Sequence, residues 1–368
     1  MRVAVQGLWH LGTVTAACLA AAGHDVVGLD EDAGVVARLS DGSSPISEPG
    51  LDELVRAGID AGRLGFDTDP ARALSGAEVL WVTFDTPVDD NDVADTGFVS
   101  RRVEAVLPHL AQGALVIVSS QLPVGSVAAL ERHAQSIGRD DLSFASSPEN
   151  LRLGKAIEVF SNPDRVIVGV RDEASAETAR RLLQPITDQV MIVGVESAEM
   201  IKHAINSFLA MSVAFANEIG SVCEVVGADA AEVARGLKSE ARIGQKAYVG
   251  PGAAFAGGTL ARDIAYLTEA GEAHAVELTL IPSVATSNTR HRGWALRTLQ
   301  RMLGDIRGRR IAILGLTYKP GTNTLRRSSS VELARALVAA GAVVAAYDPA
   351  IPVAPADLDV LLEIAGSA

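Results

Sequence analysis

Over its first 195 residues the chain alternates short β-branched runs with helical patterns, and that alternation leaves few folds open. Arg2–Gln6, Asp25–Asp30, Val79–Phe84, Ala114–Ser119, Leu142–Ala145, Arg165–Val170 and Val190–Val195 read as buried strands. Ala16–Ala22, Val99–Leu107 and Ala174–Leu183 read as helices between them. Strands that alternate with helices predict an α/β fold, a doubly wound parallel sheet covered on both faces.

A different pattern follows. From Ser197 to about Val226 only Gly220 breaks a run in which Met200, Ile201, Ala204, Phe208, Met211, Phe215 and Ile219 recur at helical spacing. One long helix is expected, apolar on more than one face and packed partly against a second subunit. After Gly308 a second β-α-β unit is expected, with strands Arg310–Leu314 and Ala342–Tyr347 around a helix Ser330–Ala340. The expected domains are 1–196, 197–305 and 306–368.

Composition narrows the function classes. The chain of 368 residues is 48% hydrophobic and 21% charged, enough to bury several cores, which excludes general disorder. Its net charge is −13 with no basic stripe, so no nucleic-acid partner is expected. Charges and glycines interrupt the apolar stretches before the ~18 residues of a membrane span, so no membrane partner is expected. The two cysteines, Cys18 and Cys223, lie in Ala/Val-rich helical stretches and read as small core residues of a reducing compartment. The seven histidines are scattered, and no metal site is expected. The strand pattern begins at Arg2 with no leader before it, so a cytoplasmic location is expected.

Gly7-Leu8-Trp9-His10-Leu11-Gly12 follows the first strand and opens a helix. Such a turn aims backbone N–H groups and a helix N-terminus at a pyrophosphate. The middle position of G-x-G-x-x-G, normally glycine, is Trp9. Asp30 ends the second strand, where a carboxylate accepts hydrogen bonds from a ribose and repels a 2′-phosphate, favouring NAD over NADP. The alternative is a turn whose glycines serve tight packing alone, with Asp30 capping a loop.

Further segments resemble the UDP-glucose/GDP-mannose 6-dehydrogenase family. Pro45-Ile46-Ser47-Glu48-Pro49-Gly50-Leu51 resembles its P-I-x-E-P-G-L, Asp85-Thr86-Pro87 its T-P turn, and Pro123-Val124-Gly125 its P-V-G-T. Ser147-Pro148-Glu149-Asn150-Leu151-Arg152 resembles S-P-E-F-L-R, and Pro163-Asp164-Arg165 matches P-D-R. Glu199, Lys202 and Asn206 stand as in E-x-x-K-x-x-x-N, with Phe215-Ala216-Asn217-Glu218, Arg242-Ile243-Gly244 and Leu316-Thr317-Tyr318-Lys319-Pro320 following in order. The resemblance implies a Rossmann-like NAD domain, a long dimer-forming helix and a nucleotide-binding C-terminal domain, here shortened. It implies a nucleotide-sugar substrate and a homodimer. It places Gly7, Trp9, His10, Leu11, Gly12, Asp30, Thr86, Ser120 and Arg326 at the cofactor. It places Leu151, Arg152, Lys202, Asn206, Arg242, Tyr248, Phe255, Gly257 and Lys319 at the substrate, with Arg242 reaching a neighbour's site. The catalytic set it implies is Lys202, Asn206, Asp263, Glu149, Thr259 and Gln121. Lys202 would stabilise a developing alkoxide, Asn206 hold a water, and Asp263 tune or relay the proton.

The family's chemistry is a four-electron oxidation through a cysteine thiolate. Here the corresponding segment is Ala254-Phe255-Ala256-Gly257-Gly258-Thr259-Leu260-Ala261-Arg262-Asp263, and the nucleophile position is Thr259. Thr259 reads instead as a helix N-cap after two glycines. Gln121 replaces a threonine before P-V-G, and Leu153 replaces a second glutamate. These three departures fall on the covalent and hydrolytic half. The chain is expected to be an NAD-dependent oxidoreductase limited to two electrons. The alternatives are a redox-neutral epimerase that retains NAD, or a degenerate nucleotide-binding paralogue.

Overall fold

A computed structural model describes residues 1–87, 95–149, 151–256, 258–318, 324–325 and 327–351. The chain divides into two compact units, Met1–Lys202 and His203–Ala368.

The first unit holds β1 (Arg2–Gln6), β2 (Asp25–Leu29), β3 (Leu64–Asp67), β4 (Val79–Val82), β5 (Leu115–Val118), β6 (Ser143–Ser146), β7 (Val166–Val170) and β8 (Val190–Gly194). They form one eight-stranded sheet in the order β3-β2-β1-β4-β5-β6-β7-β8. This is the expected Rossmann-like sheet, with one difference. β6 and β7 pair antiparallel, through Ser146 and Gly169, while every other neighbouring pair is parallel. Among the described residues the link between them holds one short helix, Ala156–Ser161. The sheet separates two cores. Val3, Val5, Trp81 and Ile117 pack to one side, and Ala4, Leu80, Val82 and Val116 to the other. Burial on both faces is why these strands read as continuous apolar runs.

The helix His10–Ala21 after β1 buries ten of its twelve residues, Cys18 among them. β8 passes without a loop into the long helix Val195–Val226, whose first residues belong to the first unit. By length and composition that helix could cross a membrane, and 33% of its apolar window is buried. This corrects the expectation that charges and glycines interrupt every apolar run: from His203 to Gly220 the only acidic or basic side chain besides the histidine is Glu218.

In the second unit the long helix is followed by helices Ala230–Ser239, Thr259–Ala273, Leu280–Arg292 and Trp294–Leu303. Ala210, Ala214, Ile264 and Val284 form a small core there. β9 (Arg310–Leu314) and β10 (Val343–Tyr347) pair in parallel, with helix Ser329–Ala339 packed on them through Val331, Ala334 and Leu337.

Candidate active site

The turn after β1 is shaped by two glycines. Gly7 has φ +93°, and a Cβ there would lie 2.6 Å from the Phe84 ring. A Cβ on Gly12 would lie 1.8 Å from the Gly7 carbonyl oxygen, so the helix can sit on the turn only with glycine at that position. Position 9 is different. Trp9 is the N-cap of the helix, makes no side-chain cap bond and is 47% exposed. Leu11 is buried, and His10 Nε2 donates to Glu48 at 2.9 Å.

Asp30 stands one residue beyond β2. Its Oδ2 accepts from Leu8 N at 2.7 Å and its Oδ1 from Asp32 N at 3.0 Å. It therefore caps the loop, while a carboxylate retains further lone pairs for a ribose. Thr86 Oγ1 donates to the Gln121 carbonyl at 2.7 Å, joining two of the expected positions. The Ser120 hydroxyl beside them is buried with no hydrogen-bond partner among the described residues. A buried hydroxyl left unmatched costs free energy until a ligand completes it.

Still in the first unit, Lys202 is 12% exposed in its side chain. Its ammonium donates to the Glu149 carbonyl oxygen at 2.5 Å and lies 3.8 Å from the Glu149 carboxylate. The other Glu149 oxygen accepts from Leu151 N at 2.6 Å. Arg152 is exposed, and its carbonyl accepts from Lys155 N. Glu199, one helical turn before Lys202, is buried and accepts from Gly125 N at 2.7 Å and Val127 N at 3.0 Å. Burial pushes its carboxyl up, against the pull of those two N–H groups. The Pro123-Val124-Gly125 turn is thus fastened to the long helix.

In the second unit Asp263 is fully buried. One oxygen lies 2.6 Å from His203 Nδ1, and the other accepts from Asn206 Nδ2 at 2.5 Å. The His203 ring stacks on Tyr266 with centroids 4.1 Å apart. Sequence reasoning missed His203, although it directly follows Lys202 and so falls on a different side of the helix. It also missed two asparagines. Asn288 accepts from Phe255 N at 2.9 Å and donates to Phe255 O at 2.8 Å. Asn217 accepts from Gly252 N at 2.8 Å, and His291 Nε2 donates to Gly252 O at 2.9 Å. Both amides are buried, and between them they hold the backbone at Gly252 and Phe255. The only signal for Asn217 was its place after Phe215-Ala216.

Thr259 is not a cap, which corrects the expectation. The N-cap is Gly258, at φ +97° and ψ −137°, backbone that glycine alone adopts readily. Thr259 becomes the first helical residue, exposed and without a side-chain hydrogen bond among the described residues. Arg242 is exposed, with its Nε 2.9 Å from Glu240, and Tyr248 is exposed as well. Gly257, Lys319 and Arg326 lie outside the described residues, as does Asn150. A cavity of about 840 Å³ in this unit is lined by Asn217, Glu224, Gly252, His291, Arg292 and Trp294, among others.

Three models of the UDP-glucose/GDP-mannose dehydrogenase family match in order. They are its NAD binding domain over residues 1–187, its central domain over 196–290 and its UDP binding domain over 312–364. The chain belongs to this family. It is 36% identical over 358 residues to UDP-glucose 6-dehydrogenase of Rhizobium meliloti (strain 1021), covering 95% of this chain and 82% of that one. It is similar to the structure of a UDP-glucose dehydrogenase from Pyrobaculum islandicum (TM-score 0.85, 32% identity, 95% and 82% covered). It is also similar to a GDP-mannose dehydrogenase ternary complex from Pseudomonas aeruginosa (TM-score 0.61, 29% identity, 95% and 81% covered). Like its family, it is an enzyme of the NAD-dependent nucleotide-sugar dehydrogenase type, and its cofactor is NAD. The residues present fit that group: a turn whose two glycines leave no room for side chains, the Asp30 carboxylate at the end of β2, and a Ser120 hydroxyl unmatched among the described residues.

Proposed function

We propose that this dehydrogenase oxidises the C6 alcohol of a nucleotide sugar by two electrons, giving an aldehyde, one NADH and one proton. NAD, when bound, accepts the hydride. Lys202, anchored by the Glu149 carbonyl, supplies positive charge to the forming alkoxide. Asn206, whose amide nitrogen is committed to Asp263, keeps its carbonyl oxygen to orient a water that takes the proton.

The observation that carries the two-electron limit is at Thr259. A second oxidation needs the aldehyde made tetrahedral, and a thiolate is the group suited to that at neutral pH. Thr259 offers an exposed hydroxyl with no base bonded to it among the described residues. Neither cysteine can substitute. Cys18 is buried in the first helix, and burial pushes its thiol up to about 12. Cys223 is buried as well. The test is NADH yield against limiting UDP-glucose, with mass analysis of the product. One NADH per sugar and an aldehyde or its hydrate are expected; two NADH and a uronate would overturn the reading.

We further infer a two-fold homodimer with functional parts at 1–196, 197–305 and 306–368. Phe208, Phe215 and Val222 follow one another at seven-residue intervals on the long helix, and all three are exposed. An apolar stripe of that length is an interface signature. The exposed Arg242 and Tyr248 are then available to the neighbouring copy. Light scattering at micromolar concentration should give twice the chain mass; a monomer would remove this reading.

A further inference from the structure

The segment Pro45-Ile46-Ser47-Glu48-Pro49-Gly50 has no part in the chemistry above, yet the structure gives its glutamate three partners. Glu48 is buried, on a turn that leads into the helix Leu51–Asp60. Its Oε2 accepts from Gly154 N at 2.7 Å and from His10 Nε2 at 2.9 Å, and its Oε1 accepts from Ala156 N at 2.9 Å. A carboxylate only accepts, so His10 carries its proton on Nε2. Burial works to raise the Glu48 pKa, but the two backbone N–H groups and His10 hold it below the ordinary carboxylate range.

His10 is the first residue of the helix that opens the dinucleotide turn, directly after Trp9. Gly154 and Ala156 close the segment that begins at Glu149, the residue that anchors Lys202. One buried carboxylate therefore joins the cofactor turn to the segment that carries the substrate-side residues, all within the first unit.

We propose that Glu48 is a positioning residue that couples these two places. Seating of NAD on the turn orders His10, and the His10–Glu48 bond passes that order to the amides of Gly154 and Ala156. Residues 151–156 are thereby set for the sugar nucleotide once the cofactor is in place. This rests on the NAD reading of the turn.

The test is hydrogen–deuterium exchange on the full chain with and without NAD. In the wild type, NAD should slow exchange over residues 7–13 and also over 151–160, the latter by roughly fivefold, the effect of one hydrogen bond strengthened. In Glu48→Ala the protection over 7–13 should persist while that over 151–160 disappears. Glu48→Gln, whose side-chain oxygen can still accept from one of these partners, should restore part of it. A purely structural role predicts faster exchange at 151–160 in Glu48→Ala with or without NAD, and the same NAD-induced change as in the wild type. That result, or full protection of 151–160 in Glu48→Ala, would overturn the coupling. Absence of protection over 7–13 in the wild type would instead remove the cofactor reading, and the coupling with it.

Discussion

Two turns in this chain depart from the pattern of their family, and they do so in opposite ways. Each lies at the start of a helix, after a glycine with positive φ: Gly7 before Trp9, and Gly258 before Thr259. In the first, the side chain at the middle position is about half exposed, and the glycines that sterics demand, Gly7 and Gly12, are present. A function that depended on backbone N–H groups alone would therefore be left to this turn. In the second turn the shape survives. The segment is held by Asn217, Asn288 and His291, and the helix begins at Thr259. There, however, on the proposed reading, the changed atom is the one that would react. A binding turn tolerates a new side chain that stays partly exposed, whereas a covalent site does not tolerate a new nucleophile.

That contrast can be broken at three places. Lys202→Ala should have the largest effect, a fall in turnover of about 10²–10³ as the alkoxide loses its nearest cation, with the fold intact by circular dichroism. Unchanged turnover would show that chemistry does not run through the long helix. Gly12→Val should come next. Its Cβ has no room beside the Gly7 carbonyl, and a cost of about 1–3 kcal/mol from overpacking should appear as a lowered melting temperature and lost NAD binding. A stable variant that binds NAD would show the turn to be more plastic than its geometry implies. Thr259→Cys should do least. The NADH yield should stay at one per sugar, since on the proposed reading Gln121 and Leu153 leave the hydrolytic half unsupported. A yield approaching two in stoichiometric assays would show that the thiol alone was missing.

Much of the first unit was legible because its strands are buried on both faces and its helices alternate with them. β1 was read at its full bounds, Arg2–Gln6, and β9 at Arg310–Leu314. β3 was not read at all: Leu64-Gly65-Phe66-Asp67 is four residues at a sheet edge, with a glycine and an acid among them, and no alternation can be counted over so short a span. The antiparallel β6–β7 pair was equally hidden, since hydrophobic pattern marks a strand but not its direction. At the site, Glu149, Lys202, Asn206 and Asp263 came from the resemblance, and the structure joins them in two pairs, Lys202 with Glu149 and Asn206 with Asp263. His203 and Asn288 went unread because an amide or imidazole inside a helix looks the same in sequence whether it faces water, a buried carboxylate or a backbone carbonyl. The cap at Thr259 was misplaced by one residue, a distance fixed by the Gly258 dihedrals and not by residue type.

The burial of both thiols reaches beyond the reaction count. Peroxides, alkylating electrophiles and disulfide exchange all act on exposed thiolates. Cys18, pushed up to about 12 inside the first helix, and Cys223, covered in the second unit, present none. A dehydrogenase that turns over through an active-site thiolate must stop when its surroundings become oxidising. On the proposed two-electron reading this one works through an amine, an amide and a carboxylate, and its turnover should follow the NAD/NADH ratio and substrate, independent of the thiol redox poise around it.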